Sequence, residues 1–273
     1  MADESTITGA RTMWELIERR AALSPDHPML FDAHGRSMSF GEFAEAAERA
    51  AAGFHALGVE EGTRVSWQLP STIEAIVASS ALARLGAVQN PIIHLYKERE
   101  VGFALKQTRS ALFVVPGTWR GTDFVAQAQR AQDQVGTSAS IVNLSEGMPD
   151  GDPAGLPAPP AGTDAESAPV RWIYYTSGST AEPKGVQHTD QTLIAGGWGL
   201  AKALDMSPSD VGSIAFPFAH IAGPDYLVTM LSLGFPAVLL EAMDLQLDWR
   251  QAHLRRELTD LLLRPGRPGR WPR

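Results

Sequence analysis

Apolar residues follow two alternating rhythms along this chain, one at helical and one at strand spacing. Ser39-Phe40-Gly41-Glu42 has the Ser and Glu three apart as a capping box requires, and Phe43, Ala47, Ala50, Phe54 and Leu57 then recur at helical intervals. Gly58 supplies the C-terminal cap. Val65, Trp67 and Leu69 alternate as a half-buried strand, and Pro70-Ser71 opens a second helix that carries Ile73, Ile76, Val77, Ala81 and Leu85 to its end at Gly86. Residues 87–91 and 111–115 read as short buried strands, with a helix through Val101 and Leu105 between them. A further helix over 124–131 leads to a strand at 141–144. Strands alternating with helices of about 10–15 residues predict an α/β fold of layered, largely parallel sheets flanked by helices.

The rhythm lapses over 145–169, which is dense in Pro, Gly, Ala and Asp and reads as a surface connection. It returns with a strand from Val170 to Tyr175, a helix from Thr189 to Leu204, a strand at 213–216, a helix at 226–233 and a strand at 237–240. The expected organisation is a first α/β subdomain over 12–144, the connection at 145–169, a second α/β subdomain over 170–248, and an off-pattern tail at 249–273.

Composition narrows the function classes. The 273 residues are 44% hydrophobic and 20% charged, which fits a globular chain with a substantial core. A net charge of -8 argues against a nucleic-acid partner, since phosphate neutralisation needs clustered Lys and Arg. The chain has no cysteine, so disulfide scaffolds, thiolate nucleophiles and zinc-thiolate sites are excluded, and the expected location is a reducing cytoplasm. Met1 to Arg11 lacks the apolar run of a signal peptide. The most apolar stretch, Tyr226 to Leu240, is broken by Gly234 and Pro236 and is too short to span a bilayer.

The candidate chemistry lies in Tyr174-Tyr175-Thr176-Ser177-Gly178-Ser179-Thr180-Ala181-Glu182-Pro183-Lys184-Gly185-Val186. A strand of β-branched and aromatic residues runs into five small ones, Thr176 to Thr180, which offer hydroxyls and closely approachable backbone N–H groups. Pro183 stiffens the run before Lys184, its only cation. A concave row of N–H groups, hydroxyls and one Lys is a grip for polyphosphate. A polar turn between two strands is the alternative reading. The spacing rejects the P-loop of nucleotide hydrolases: Pro183 stands where its second Gly belongs, and Gly185 follows the Lys in place of a hydroxyl residue.

The run resembles the Thr-Ser-Gly-Thr-Thr-Gly-x-Pro-Lys-Gly loop of the adenylate-forming (AMP-binding) superfamily, with Ala181 in place of the usual Gly. The likeness extends in order through Leu30-Phe31-Asp32, Leu57-Gly58-Val59-Glu60-Glu61-Gly62, Leu69-Pro70-Ser71, Arg84-Leu85-Gly86-Ala87-Val88-Gln89-Asn90-Pro91 and Phe216-Pro217-Phe218-Ala219-His220-Ile221-Ala222-Gly223, and is similar to the N-terminal portion of acyl-CoA synthetases. Tyr174-Tyr175 and Gln187-His188-Thr189-Asp190 look closest to ligases of fatty, steroid or alicyclic acids. The resemblance implies that a carboxylic acid is activated by ATP to an acyl-adenylate and then passed to coenzyme A, with magnesium assisting. It implies that Thr176, Ser177, Gly178, Ser179, Thr180 and Lys184 bind the nucleotide phosphates and that His220 lines the junction of acyl and adenylate sites as the candidate catalytic residue. A packed or solvent-facing histidine at a helix start is the competing reading of His220. His188 and Asp190 read as residues of a helix start, with Thr189 or Asp190 as N-cap, and Asp225 as a first-turn carboxylate. Gly196-Gly197-Trp198-Gly199 lies inside a helical pattern and lacks dinucleotide-fingerprint spacing.

The family's aromatic-Gly-x-Thr-Glu and Thr-Gly-Asp motifs, its hinge and its C-terminal lysine are not found in this sequence, so no metal ligand is assigned and the C-terminal domain is expected to be absent. The Arg/Pro/Gly-rich tail from Leu261 to Arg273 suggests a frame shift, against a natural short paralogue with a basic tail. Two functions stay open: an acyl-CoA ligase portion with little turnover of its own, or a catalytically inactive remnant that at most binds nucleotide phosphates or a partner.

Overall fold

The computed structural model describes residues 6–176 and 183–241, and both of its larger sheets draw strands from the two ends of that span. Helix α1 (Met13–Leu23) is followed by strands β1 (Pro28–Asp32) and β2 (Ser37–Ser39). The sequence pattern assigns none of these three, because Glu15, Glu18, Arg19 and Arg20 dilute the apolar rhythm of α1. Arg20 is nonetheless buried, donating to the Leu231 and Ser232 carbonyls at 2.7 and 2.8 Å. Helix α2 (Phe40–Ala56) starts at the expected capping box: Ser39 Oγ accepts from the Glu42 N–H at 3.2 Å, and Glu42 Oε2 from the Ser39 N–H at 2.8 Å. It buries Phe40, Phe43 and Phe54 almost completely, each worth about 1.5–3 kcal/mol over exposure.

Alternation then follows as expected, with small shifts of boundary. Strand β3 (Arg64–Trp67) stops before Leu69, and α3 (Ile73–Arg84) is capped by Thr72, whose hydroxyl accepts from the Ala75 N–H. Next come β4 (Val88–Pro91), α4 (Glu98–Thr108), β5 (Leu112–Val115), a small hairpin of β6 (Thr118–Trp119) and β7 (Thr122–Asp123), α5 (Phe124–Val135) and β8 (Ser140–Asn143). Residues 145–169 contain only short 3-10 turns, and they are fastened down. Arg49 pairs with both oxygens of Asp150 at 2.8 and 2.7 Å, and Arg84 donates to the Pro157 carbonyl at 3.0 Å.

Beyond it lie β9 (Trp172–Thr176), β10 (Lys184–His188), α6 (Asp190–Ala203), β11 (Gly212–Ile214), α7 (Ala222–Leu233) and β12 (Ala237–Leu239). The expected strand at 213–216 ends at Ile214, and the helix expected from 226 begins at Ala222. One sheet runs β10-β9-β4-β3-β5-β8 and is parallel except for the β9–β10 pair; the other runs β11-β12-β1-β2 and is parallel except for β1–β2. The α/β, largely parallel architecture therefore stands, and each sheet crosses the 145–169 connection. Helices α6 and α7 pack closely because Gly197 has no side chain: a Cβ there would lie 2.6 Å from Val228 Cβ. Among the described residues no helix is long and apolar enough to cross a membrane.

Candidate functional site

Parallel strands leave their following loops at one edge, and ligands of open α/β sheets collect outside those carboxyl ends. Here the carboxyl edges of both sheets meet. Ser71, after β3, donates from Oγ to the Phe216 carbonyl at 2.8 Å and accepts from the Phe218 N–H at 2.9 Å, so it grips the segment that leaves β11. Glu241, after β12, accepts from Trp119 Nε1 at 3.1 Å and lies 3.0 Å from His34 Nε2, after β1.

The β9–β10 hairpin opens onto this edge. Thr176 pairs with Lys184 as the last rung of its antiparallel ladder, so the two residues stand side by side at the mouth of the connecting loop. Both are exposed, and Lys184 forms no ion pair with any described residue. Ser177, Gly178, Ser179 and Thr180, and with them Ala181 and Glu182, lie outside the described residues. The strand-loop-strand form separates this loop from P-loops, whose phosphate site sits on a helix N-terminus. Helix α6 begins only after β10, beyond the opposite end of the hairpin, so cationic charge at this mouth comes from a side chain.

The base of the loop is braced. The Tyr175 hydroxyl donates to Gln107 Oε1 at 2.5 Å and its ring meets Phe103 edge-on, while burial pushes its phenol up to about 12. Beside it a cavity of about 220 Å³ is walled by Ile92, Ile93, Tyr96, Phe103 and Tyr175, with Thr176 and Pro183 at its rim. No sequence signal marked this cavity, since its walls come from the segment between β4 and α4, from α4 and from β9, and meet only in the fold. At the other end of the hairpin, Asp190 is buried and accepts from Trp172 Nε1 at 2.8 Å and from the Met13 N–H at 3.0 Å. Burial holds its carboxyl above the ordinary aspartate value despite those two donors. Thr189 is the N-cap of α6, as one of the two expected candidates, its hydroxyl accepting from the Thr192 N–H at 3.2 Å.

His220 occupies the turn between β11 and α7. It is exposed, its Nδ1 accepts from the Ala222 N–H at 3.3 Å, and it makes no hydrogen bond to Thr176 or Lys184. That bond places the ring proton of neutral His220 on Nε2. Gly223 is required just beyond, because a Cβ there would clash with the Phe218 carbonyl. Asp225 stands in the first turn of α7, as expected, with its carboxylate over Gly196, and burial raises its pKa to about 6. Among the described residues no group of three or more His, Asp or Glu side chains is placed to hold a metal ion.

Comparison with known proteins bears on this edge. The model of the AMP-binding enzyme family matches residues 17–261. The chain is 25% identical over 241 residues to the medium-chain fatty-acid–CoA ligase of Escherichia coli (strain K12), covering 85% of this chain and 43% of that one. It is 29% identical over 219 residues to the sulfoacetate–CoA ligase of Cupriavidus necator, covering 78% and 41%. The fold matches the inhibitor-bound N-terminal domain of FACL13 from Mycobacterium tuberculosis with a TM-score of 0.77 at 24% identity, over 90% of this chain and 61% of that one. It matches O-succinylbenzoate coenzyme A synthetase from Bacillus subtilis, in complex with ATP and magnesium ion, with a TM-score of 0.74 at 22% identity, over 93% and 52%. The chain spans about two-fifths of the length of these curated relatives.

Proposed function

The chain belongs to the AMP-binding enzyme family, and from that premise we propose that its β9–β10 hairpin grips the phosphates of ATP for activation of a carboxylic acid as its adenylate. The observation that carries this reading is the exposed Thr176–Lys184 rung, with no described counter-ion, at the joined carboxyl edges of the two sheets. An ammonium beside a hydroxyl fits a polyphosphate, and each contact to a charged phosphate oxygen is worth about 1.5–3 kcal/mol. In the proposed reaction an oxygen of the acid's carboxylate attacks the α-phosphorus and pyrophosphate leaves. Lys184 neutralises charge that gathers on the departing phosphates, and Thr176 orients them, which is the positioning and electrostatic work that phosphoryl chemistry demands. Ser177, Gly178, Ser179 and Thr180 complete the grip through N–H groups and hydroxyls in the same proposal. Magnesium would offset further phosphate charge when bound with the nucleotide.

His220, at the entrance to α7, is proposed to face the acyl-adenylate junction, and coenzyme A to take the acyl group as a thioester, its sulfur attacking the acyl carbon as AMP departs. The acid is of the fatty, steroid or alicyclic kind in this reading. A binding series tests it: pyrophosphate and ATP bind, AMP binds at least tenfold more weakly, and Lys184→Ala removes the difference. Equal binding of AMP and ATP to the unmodified chain would contradict the assignment.

A further inference from the structure

The cavity at the base of the hairpin brings three aromatic side chains and one carboxylate to a single void. Tyr96, Phe103 and Tyr175 line it, each half-buried, and Glu100 is its only charged lining residue. The aromatic walls are held in place by contacts of their own. The Tyr96 carbonyl accepts from Gln68 Nε2 at 2.9 Å and from Gln127 Nε2 at 3.2 Å, and both glutamines are buried. Tyr175 is pinned through its hydroxyl to Gln107, and Phe103 meets it at 77° with ring centroids 6.1 Å apart, as adjoining walls of a box do. Glu100 Oε2 accepts from the Lys97 N–H at 3.3 Å, and its carboxylate forms no ion pair with any described residue. Glu98, two residues earlier, is by contrast engaged by Arg130 at 2.8 Å.

These walls select by charge, by covering and by size. Aromatic rings attract a cation through their quadrupole, and a carboxylate without a counter-ion adds to the attraction and repels anions. Among the described residues that line the cavity none is Lys, Arg or His, so a cation meets no opposing charge there. Pro91, Ile92, Ile93 and Ala104 contribute apolar side chains, which suit a cation sheathed in methyl groups better than one whose N–H donors would go unpaired. A void of about 150 Å³ holds benzene, so one of about 220 Å³ admits a trimethylammonium group with a short stem. Nucleotides and long acyl chains need the larger pockets of about 300–1,000 Å³ that drug-sized ligands occupy. We propose that this cavity binds a small quaternary ammonium compound from solution, its methyl groups against Tyr96, Phe103 and Tyr175 and its charge balanced by Glu100. Thr176 and Pro183 at the rim put the bound cation at the foot of the phosphate loop, while Lys184 is not among the walls. The site is therefore separate from the phosphate grip and does not depend on it.

Calorimetric titration of the full chain with choline tests this, beside the neutral isostere in which a tert-butyl group replaces trimethylammonium. Choline is expected to bind about tenfold more tightly than the isostere or better, a difference of about 1.4 kcal/mol. Phe103→Leu and Glu100→Gln are each expected to weaken choline about fivefold, with the isostere held within about twofold of its original affinity. Leucine still fills the wall, and glutamine can still accept from the Lys97 N–H in the capping box of α4, so both variants report on the cation and not on folding. Lys184→Ala leaves choline binding unchanged. Equal binding of choline and the isostere, binding of neither, equal weakening of both ligands by the substitutions, or loss of choline binding in Lys184→Ala overturns the proposal. So does binding confined to a trimethyl-lysine peptide or to phosphatidylcholine vesicles, which would make the partner a protein or a membrane.

Discussion

The two ends of the β9–β10 hairpin are built in opposite ways. At the inner end Asp190 is buried and receives hydrogen bonds from Trp172 and from the first residue of α1, while Arg171 joins the sheet through backbone bonds to His188 and Gln89. At the outer end Thr176 and Lys184 are exposed and Lys184 has no described counter-ion, although Tyr175 and Gln107 hold the base firmly. An exposed charge with no described counter-ion contributes little to folding. The difference teaches that one short hairpin separates its stabilising residues from the residues proposed to bind phosphate by the length of one strand.

The largest break in that comparison comes from Asp190→Ala. Two buried N–H donors lose their acceptor, and the expected loss is about 2–4 kcal/mol, read from urea denaturation at neutral pH. Pyrophosphate affinity of the fraction that remains folded stays as it was; a parallel loss of affinity would mean the two ends are coupled. Lys184→Ala is expected to do the reverse, weakening pyrophosphate binding by about 1.5–3 kcal/mol with the urea midpoint unmoved. Tyr174→Phe, between the two ends, removes a buried hydroxyl without opening a cavity. It is expected to leave stability unchanged or raise it by up to about 1 kcal/mol in the same denaturation experiment.

Asp225 gives the smallest effect and a signed one. Burial raises its pKa from an ordinary 3.8 to about 6, so the folded state favours the protonated form. That preference supports folding fully below the ordinary value, fades as pH rises towards 6, and is gone above it. Asp225→Asn cannot ionise. Its stability relative to the unmodified chain therefore improves from pH 4 to pH 7 and then levels, by less than about 1 kcal/mol because the carboxylate is half exposed. Denaturation curves across that range check the slope, and a difference independent of pH would exclude the burial account.

Features set by near neighbours were legible in the sequence. The Ser39–Glu42 capping box, the Thr189 cap and the strand leading to Thr176 involve residues within four positions of one another, so their spacing carries the geometry. Asp190 was legible only as a residue of a helix start. Its partner Met13 is 177 positions away, and no local pattern reports such a bond. The same holds for Arg20, whose acceptors lie at the end of α7, and for β1 beside β12. Of the candidate site, Thr176 and Lys184 are opposite one another on the β9–β10 ladder, and His220 Nδ1 accepts from the Ala222 N–H at the start of α7.

The most direct test joins the two ends in one experiment: thermal melts of the unmodified chain and of Lys184→Ala, each with and without pyrophosphate. The account predicts equal melting temperatures without ligand, and a pyrophosphate-induced rise in the unmodified chain that Lys184→Ala abolishes. An equal rise in both proteins, or a lower melting temperature of Lys184→Ala without ligand, would contradict it.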